Sequence, residues 1–151
     1  MITACQKDEK TLFRMMMDRK IGKVYLALMP RDALFPNRYR IHDSLSYTSK
    51  AVVSSSGKEA KSVFIKHGSY GAVVGYSVVL LTGRRHQIRS HASTYLSPII
   101  GDQLYGASDT VRNQPLALFA VGLNFRYGEK KRIRWAGAQD AIEAVTRKKK
   151  V

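Results

Sequence analysis

The sequence predicts an α+β domain, a mixed but largely antiparallel sheet with flanking helices. Three observations predict it. Strand-like and helix-like segments follow one another in irregular order, not in the regular alternation of a parallel sheet. Hydrophobic residues make up 44% of the 151 residues, enough to bury one core and too many for a disordered chain. The apolar stretches are short and bounded by Gly, Pro and Asn, and none is long enough to span a bilayer as a helix.

Lys7 to Arg19 groups Leu12, Phe13, Met16 and Met17 at helical spacing, with the Met15-Met16-Met17 run read as core filler. Gly22 breaks this pattern, and Lys23 to Met29 alternates as a strand, with Val24, Leu26 and Leu28 on one face. From Pro30 to Gly57 the signal is poor. Pro30, Pro36 and Asn37 mark turns and Ser44 to Ser56 is Ser-rich, which predicts a mobile excursion or a segment ordered against a partner. Lys61 to His67 and Ala72 to Leu81 read as strands joined by a turn at Gly68-Ser69-Tyr70-Gly71. Arg85 to Leu96 reads as a helix, Leu116 to Tyr127 and Lys131 to Trp135 as strands around Gly128, and Ala138 to Arg147 as a closing helix. One domain over residues 1–146 is therefore expected, followed by a basic tail at 147–151.

The balance of charge is strongly positive. Twenty-six Lys and Arg stand against 11 Asp and Glu, a net of +15. Such a surplus favours a polyanionic partner, because each phosphate contact releases condensed counterions. Nucleic acid comes first and an anionic membrane surface second; a charge that only keeps the protein soluble is the plain alternative. The single cysteine, Cys5, cannot form an internal disulfide, and no Cys/His cluster has zinc spacing. The opening MITACQKDEK is neither a secretory signal nor an Arg-rich transit peptide. The expected setting is intracellular, cytoplasm or mitochondrion.

The densest chemistry lies in Leu81 to Gly106. A Gly turn leads into a helix whose first turns hold Arg84, Arg85, His86, Gln87 and Arg89. His86 and Arg89 are three apart and share a face. Two arginines beside a helix N-terminus suit phosphate, and a solvated basic face is the competing reading.

The order Thr82-Gly83-Arg84, His86-Gln87-Ile88-Arg89, His91, then Pro98-Ile99, Gly101-Asp102 and Tyr105-Gly106 resembles the hallmark C-terminal motif of RluA-type RNA pseudouridine synthases. Upstream, Lys23-x-Tyr25-x-Ala27-Leu28 and Gly57-Lys58-x-Ala60 resemble further family segments; downstream, Leu116-x-Leu118-x-Ala120 and Leu123-x-Phe125 resemble its closing strands. The resemblance implies the pseudouridine-synthase-like fold and an RNA partner, ribosomal RNA foremost, with ribosomal or assembly-factor proteins as further partners. It implies no cofactor, no metal and no membrane. It makes Tyr25 the active-site tyrosine and Arg89 the arginine that pairs with the catalytic aspartate, against plain readings of a half-buried strand tyrosine and a surface ion pair. Leu80 is expected at the pocket floor. Lys23, Arg84, Arg85, His86 and the tail residues Arg147, Lys148, Lys149 and Lys150 are expected to bind RNA.

Two departures from the family pattern stand out. Phe119 replaces a histidine of the closing strands. The HRLD-type loop that carries the catalytic aspartate has no counterpart, and the resemblance places it ahead of Met1. None of the aspartates substitutes by motif: Asp102 matches another family position, and Asp32, Asp43, Asp109 and Asp140 match none. The expectation is a non-catalytic RNA-binding relative; the alternative is an active isomerase whose aspartate comes from an upstream extension or a partner chain. A buried Arg89 without its carboxylate would be costly, so an acid from another chain, an RNA phosphate or exposure to water should compensate it.

Overall fold

A computed structural model describes residues 20–32, 34–106, 114–127 and 130–135, with positions 11, 14, 15 and 18 ahead of them. Seven strands form one sheet: β1 (Ile21–Pro30), β2 (Arg38–Tyr47), β3 (Ala51–Val53), β4 (Lys58–Tyr70), β5 (Val73–Leu80), β6 (Leu118–Tyr127) and β7 (Lys130–Trp135). Helix α1 (Gln87–Tyr95) follows β5. The spatial order is β3-β2-β4-β5-β1-β6-β7, so β1, first in sequence, lies between β5 and β6. Every described pairing is antiparallel, which makes this sheet uniform rather than mixed. The helices expected at 7–19 and 138–147 and the basic tail at 147–151 fall wholly or mostly outside the described residues.

The alternating strands behave as their side chains require. In β1, Val24, Leu26, Ala27, Leu28 and Met29 are all buried, because the strand is covered on both sides of its central run. Phe64 of β4 and Tyr76 of β5 meet edge to face with ring centroids 6.1 Å apart, and each is fully buried. Burial of side chains of this size stabilises the fold by roughly 1.5–3 kcal/mol apiece. The Tyr76 hydroxyl donates to the Pro36 carbonyl at 2.6 Å, which removes its one polar liability.

The segment after Pro30 is where the sequence reading and the structure part. Among the described residues, much of it is paired strand. β2 pairs with β4 from Arg38↔Ile65 to Leu45↔Lys58, and β3 adds a short outer strand. Leu45, Ala51 and Ala60 make a small separate core there. Gly57 is essential to it, since a Cβ at that position would sit 2.3 Å from the Leu45 backbone.

The stretch between α1 and β6 is tied to β1 by backbone bonds. Ile100 N–H donates to Leu28 O at 3.0 Å, Leu28 N–H to Ala117 O at 3.0 Å, and Ala117 N–H to Ile100 O at 2.9 Å. This fixes the Gly101-Asp102 turn over the sheet. Gly101 has φ +77°, and a Cβ on it would meet the Pro115 carbonyl oxygen at 2.3 Å. Only glycine fits such a passage. Among the described residues no helix is long and apolar enough to cross a membrane.

Candidate nucleotide-binding cleft

β5 passes into α1 through Leu81 to His86, and Gln87 holds that passage in place. Its Oε1 accepts from the Thr82 hydroxyl at 2.8 Å and the Arg84 N–H at 3.0 Å. Its Nε2 donates to the Lys61 carbonyl and to Ser62 Oγ, both at 2.9 Å. A buried amide is tolerated only when its capacity is filled in this way. Ser62 Oγ also forms a hydrogen bond with His91 Nδ1 at 3.0 Å. His91 Nε2 is buried and has no hydrogen-bond partner among the described residues. Burial lowers the His91 pKa to about 4, so the ring is neutral at physiological pH.

The other side of the helix faces a cleft. Two adjoining hollows, of about 440 and 180 Å³, share Tyr25, Leu80 and Arg84 as their common wall. Lys23 and Gly83 border the larger; His86, Arg89 and Leu118 border the smaller. The combined space is in the range of small-ligand sites. Tyr25 stands at the β1–β6 register shift between Val24 and Tyr25. A bulge at that point re-aims the strand's side chain, here into the cleft.

Arg89 reaches the cleft with its charge already matched. Its Nε donates to Asp102 Oδ2 at 2.8 Å and its Nη2 to Asp102 Oδ1 at 2.7 Å, a two-pronged pair. Asp102 is fully buried and also accepts the Tyr105 N–H at 3.1 Å. This pair raises the Arg89 pKa further. The compensation expected from another chain, from RNA or from water thus comes from within the protein, thirteen residues along. The guanidinium lies 5.1 Å from the Tyr105 ring centroid. The Tyr105 hydroxyl in turn accepts the Ala51 N–H at 2.8 Å and stands 3.5 Å from His86 Nδ1. His86 opens the helix in a left-handed conformation, φ 53°, with no side-chain cap. Burial and the nearby Arg89 and Arg85 lower its pKa, which favours the neutral imidazole.

The structure therefore brings Lys23, Tyr25, Leu80, Arg84, His86 and Arg89 to one cleft. Arg85 lies outside the lining, exposed on the same turn. Arg147, Lys148, Lys149 and Lys150 lie outside the described residues. Sequence reasoning missed Asp102 as the Arg89 partner and Tyr105 as the ring beside it; the Gly101-Asp102 and Tyr105-Gly106 pairs were the visible signal. No group of residues able to hold a metal occurs among the described residues.

A seven-stranded antiparallel sheet of this order, with α1 following β5 and a tyrosine–arginine cleft, has the architecture of pseudouridine synthase domains. The family model for RNA pseudouridylate synthase matches residues 2–94. The chain is 34% identical over 123 residues to an uncharacterized RNA pseudouridine synthase of Helicobacter pylori, covering 74% of this chain and 39% of that protein. It is 28% identical over 143 residues to the ribosomal large subunit pseudouridine synthase C of Buchnera aphidicola, covering 85% and 45%. The human RNA pseudouridylate synthase domain containing 1 structure superposes with a TM-score of 0.67 at 23% identity, covering 87% of this chain and 60% of that one. The chain belongs to the RluA-type family of RNA pseudouridine synthases. It spans about two-fifths of the length of the curated relatives it matches.

Proposed function

We propose that the chain is a pseudouridine-synthase-like RNA-binding protein that holds a uridine of ribosomal RNA in the Tyr25–Arg89 cleft, and that these 151 residues alone bind without isomerising. The observation that carries this reading is the state of the cleft. Tyr25 and Leu80 offer an apolar and aromatic wall for an unstacked base. Lys23 and Arg84 supply cations for its phosphates. Isomerisation breaks the N1–C1′ bond, turns the uracil, joins C5 to C1′ and moves the C5 proton to a base. That requires a carboxylate at the sugar. Asp102, the carboxylate that meets Arg89 beside the cleft, is buried and occupied by that arginine.

The test is binding and product formation together. With a ribosomal RNA fragment, the chain should bind with an affinity that falls steeply with salt. Nucleoside analysis by mass spectrometry should then find no pseudouridine. Product from this chain alone overturns the non-catalytic reading.

The second reading is an active isomerase completed by an aspartate from an upstream extension or a partner chain. It is favoured by the rest of the cleft, where Tyr25 and Arg89, the residues that the resemblance assigns to the site, line one hollow. Addition of a polypeptide carrying an HRLD-type segment should restore product if it holds. The intact mass of the protein from its own cells separates the extension from the partner.

A further inference from the structure

The cleft does not end at Arg84. The turn carrying Arg84 and Arg85 abuts the end of the β2–β3 hairpin, where the Tyr47 hydroxyl lies against the Arg85 backbone and near both arginine charges. Tyr47 is 39% exposed, so part of its ring reaches solvent. Three residues further on, Lys50 Nζ lies 5.6 Å from the Tyr105 ring centroid, the same ring that Arg89 approaches from the cleft. Tyr105 thus joins the hairpin to the cleft, through its hydroxyl bond to Ala51 as well. Arg84 donates through Nε to the Glu59 carbonyl at 2.9 Å, which leaves its charge uncancelled. Glu59 itself is taken up by Lys61 at 2.8 Å and His42 at 3.0 Å, and Asp102 by Arg89. Among the described residues, no carboxylate lies within 4 Å of Lys50, Arg84 or Arg85.

We propose that the β2–β3 hairpin is a second RNA contact, a track that holds the single-stranded nucleotides flanking the uridine in the cleft. Lys50, Arg84 and Arg85 hold the phosphates of the flank, and the Tyr47 ring stacks on one of its bases. Three uncancelled cations beside one exposed aromatic ring form the combination that single-stranded nucleic acid uses, charge for the backbone and a ring face for a base. This track rests on the RNA-binding reading of the cleft and names what lies next to it.

The test compares two ligands, uridine 5′-monophosphate for the cleft alone and a twelve-nucleotide uridine-centred RNA for cleft and track. Tyr47→Ala should weaken the oligonucleotide by about tenfold. Lys50→Gln, which keeps the chain packed on Tyr105, should lower the slope of log affinity against log salt by about 0.7. Neither substitution should change binding of the monophosphate. Oligonucleotide affinity and salt slope equal to the unsubstituted protein would overturn the track and leave the cleft reading standing. Failure of the unsubstituted chain to bind either ligand removes both. Polyglutamate bound with the same dependence on Lys50 would assign the surface to an acidic protein and overturn the RNA assignment.

Discussion

Helix α1 carries its motif residues on two faces with opposite fates. Gln87 and His91, four apart, point into the protein and bond to β4 and the turn before the helix. His86 and Arg89, three apart, point to the cleft. One short run of residues therefore serves two ends. The inner pair holds the helix where the outer pair is useful, and a motif match alone does not tell which residue is which. Arg89 belongs to both, since its charge faces the cleft while its carboxylate partner is buried.

The strongest test of that division falls on Arg89. Arg89→Met leaves Asp102 buried and uncompensated, and urea unfolding should show a loss of about 3–5 kcal/mol. Adding Asp102→Leu should return most of that stability, because a matched pair is replaced by apolar side chains. The double variant should still bind uridine-containing RNA poorly. Recovery of binding along with stability would make Arg89 a structural residue only.

A pH titration probes the inner face. Folded His91 stays neutral down to about pH 4, whereas the unfolded ring takes a proton below about 6.5. Its contribution is therefore constant above that value and is lost as pH falls from 6.5 towards 4. The loss is on the order of 3 kcal/mol. His91→Gln, which cannot titrate, should show a shallower acid limb in denaturant unfolding. An identical limb would mean that the ring gains a proton in the folded state.

The smallest effect is expected at the cleft wall. Tyr25→Leu should weaken RNA binding by about tenfold through lost base stacking. Thermal unfolding should shift little, since Tyr25 is only half-buried. A large stability loss with unchanged binding would reverse its assignment from site to core.

Much of this was legible in the residues. β1, β4, β5 and β6 announce themselves as apolar or alternating runs bounded by turn residues, with β1 and β5 buried almost continuously along their centres. β2 does not. Over Arg38 to Tyr47 only Ile41 and Leu45 are buried, four apart and separated by polar residues, so neither strand nor helix period emerges. β3 is three residues long, too short for any pattern. The cleft residues Tyr25 and Arg89 were legible through family resemblance, not through spacing. The Arg89–Asp102 pair was not, because it depends on a loop whose path is set by Gly101 and by backbone bonds to β1. Likewise, nothing about a glutamine in sequence says that all of its hydrogen-bonding capacity will be used indoors.

The strand order has a consequence for the timing of synthesis. β1 is made first among the described strands, yet its two neighbours begin at Val73 and Leu118. At ordinary translation rates its second partner follows by roughly 5 to 20 seconds. Meanwhile β2, β3, β4 and β5 can pair among themselves in the order β3-β2-β4-β5. The apolar run Leu26 to Met29 must wait, unsatisfied along one edge, for the last third of the chain to leave the ribosome. Among the described strands, an interior one thus waits a long interval for its second partner.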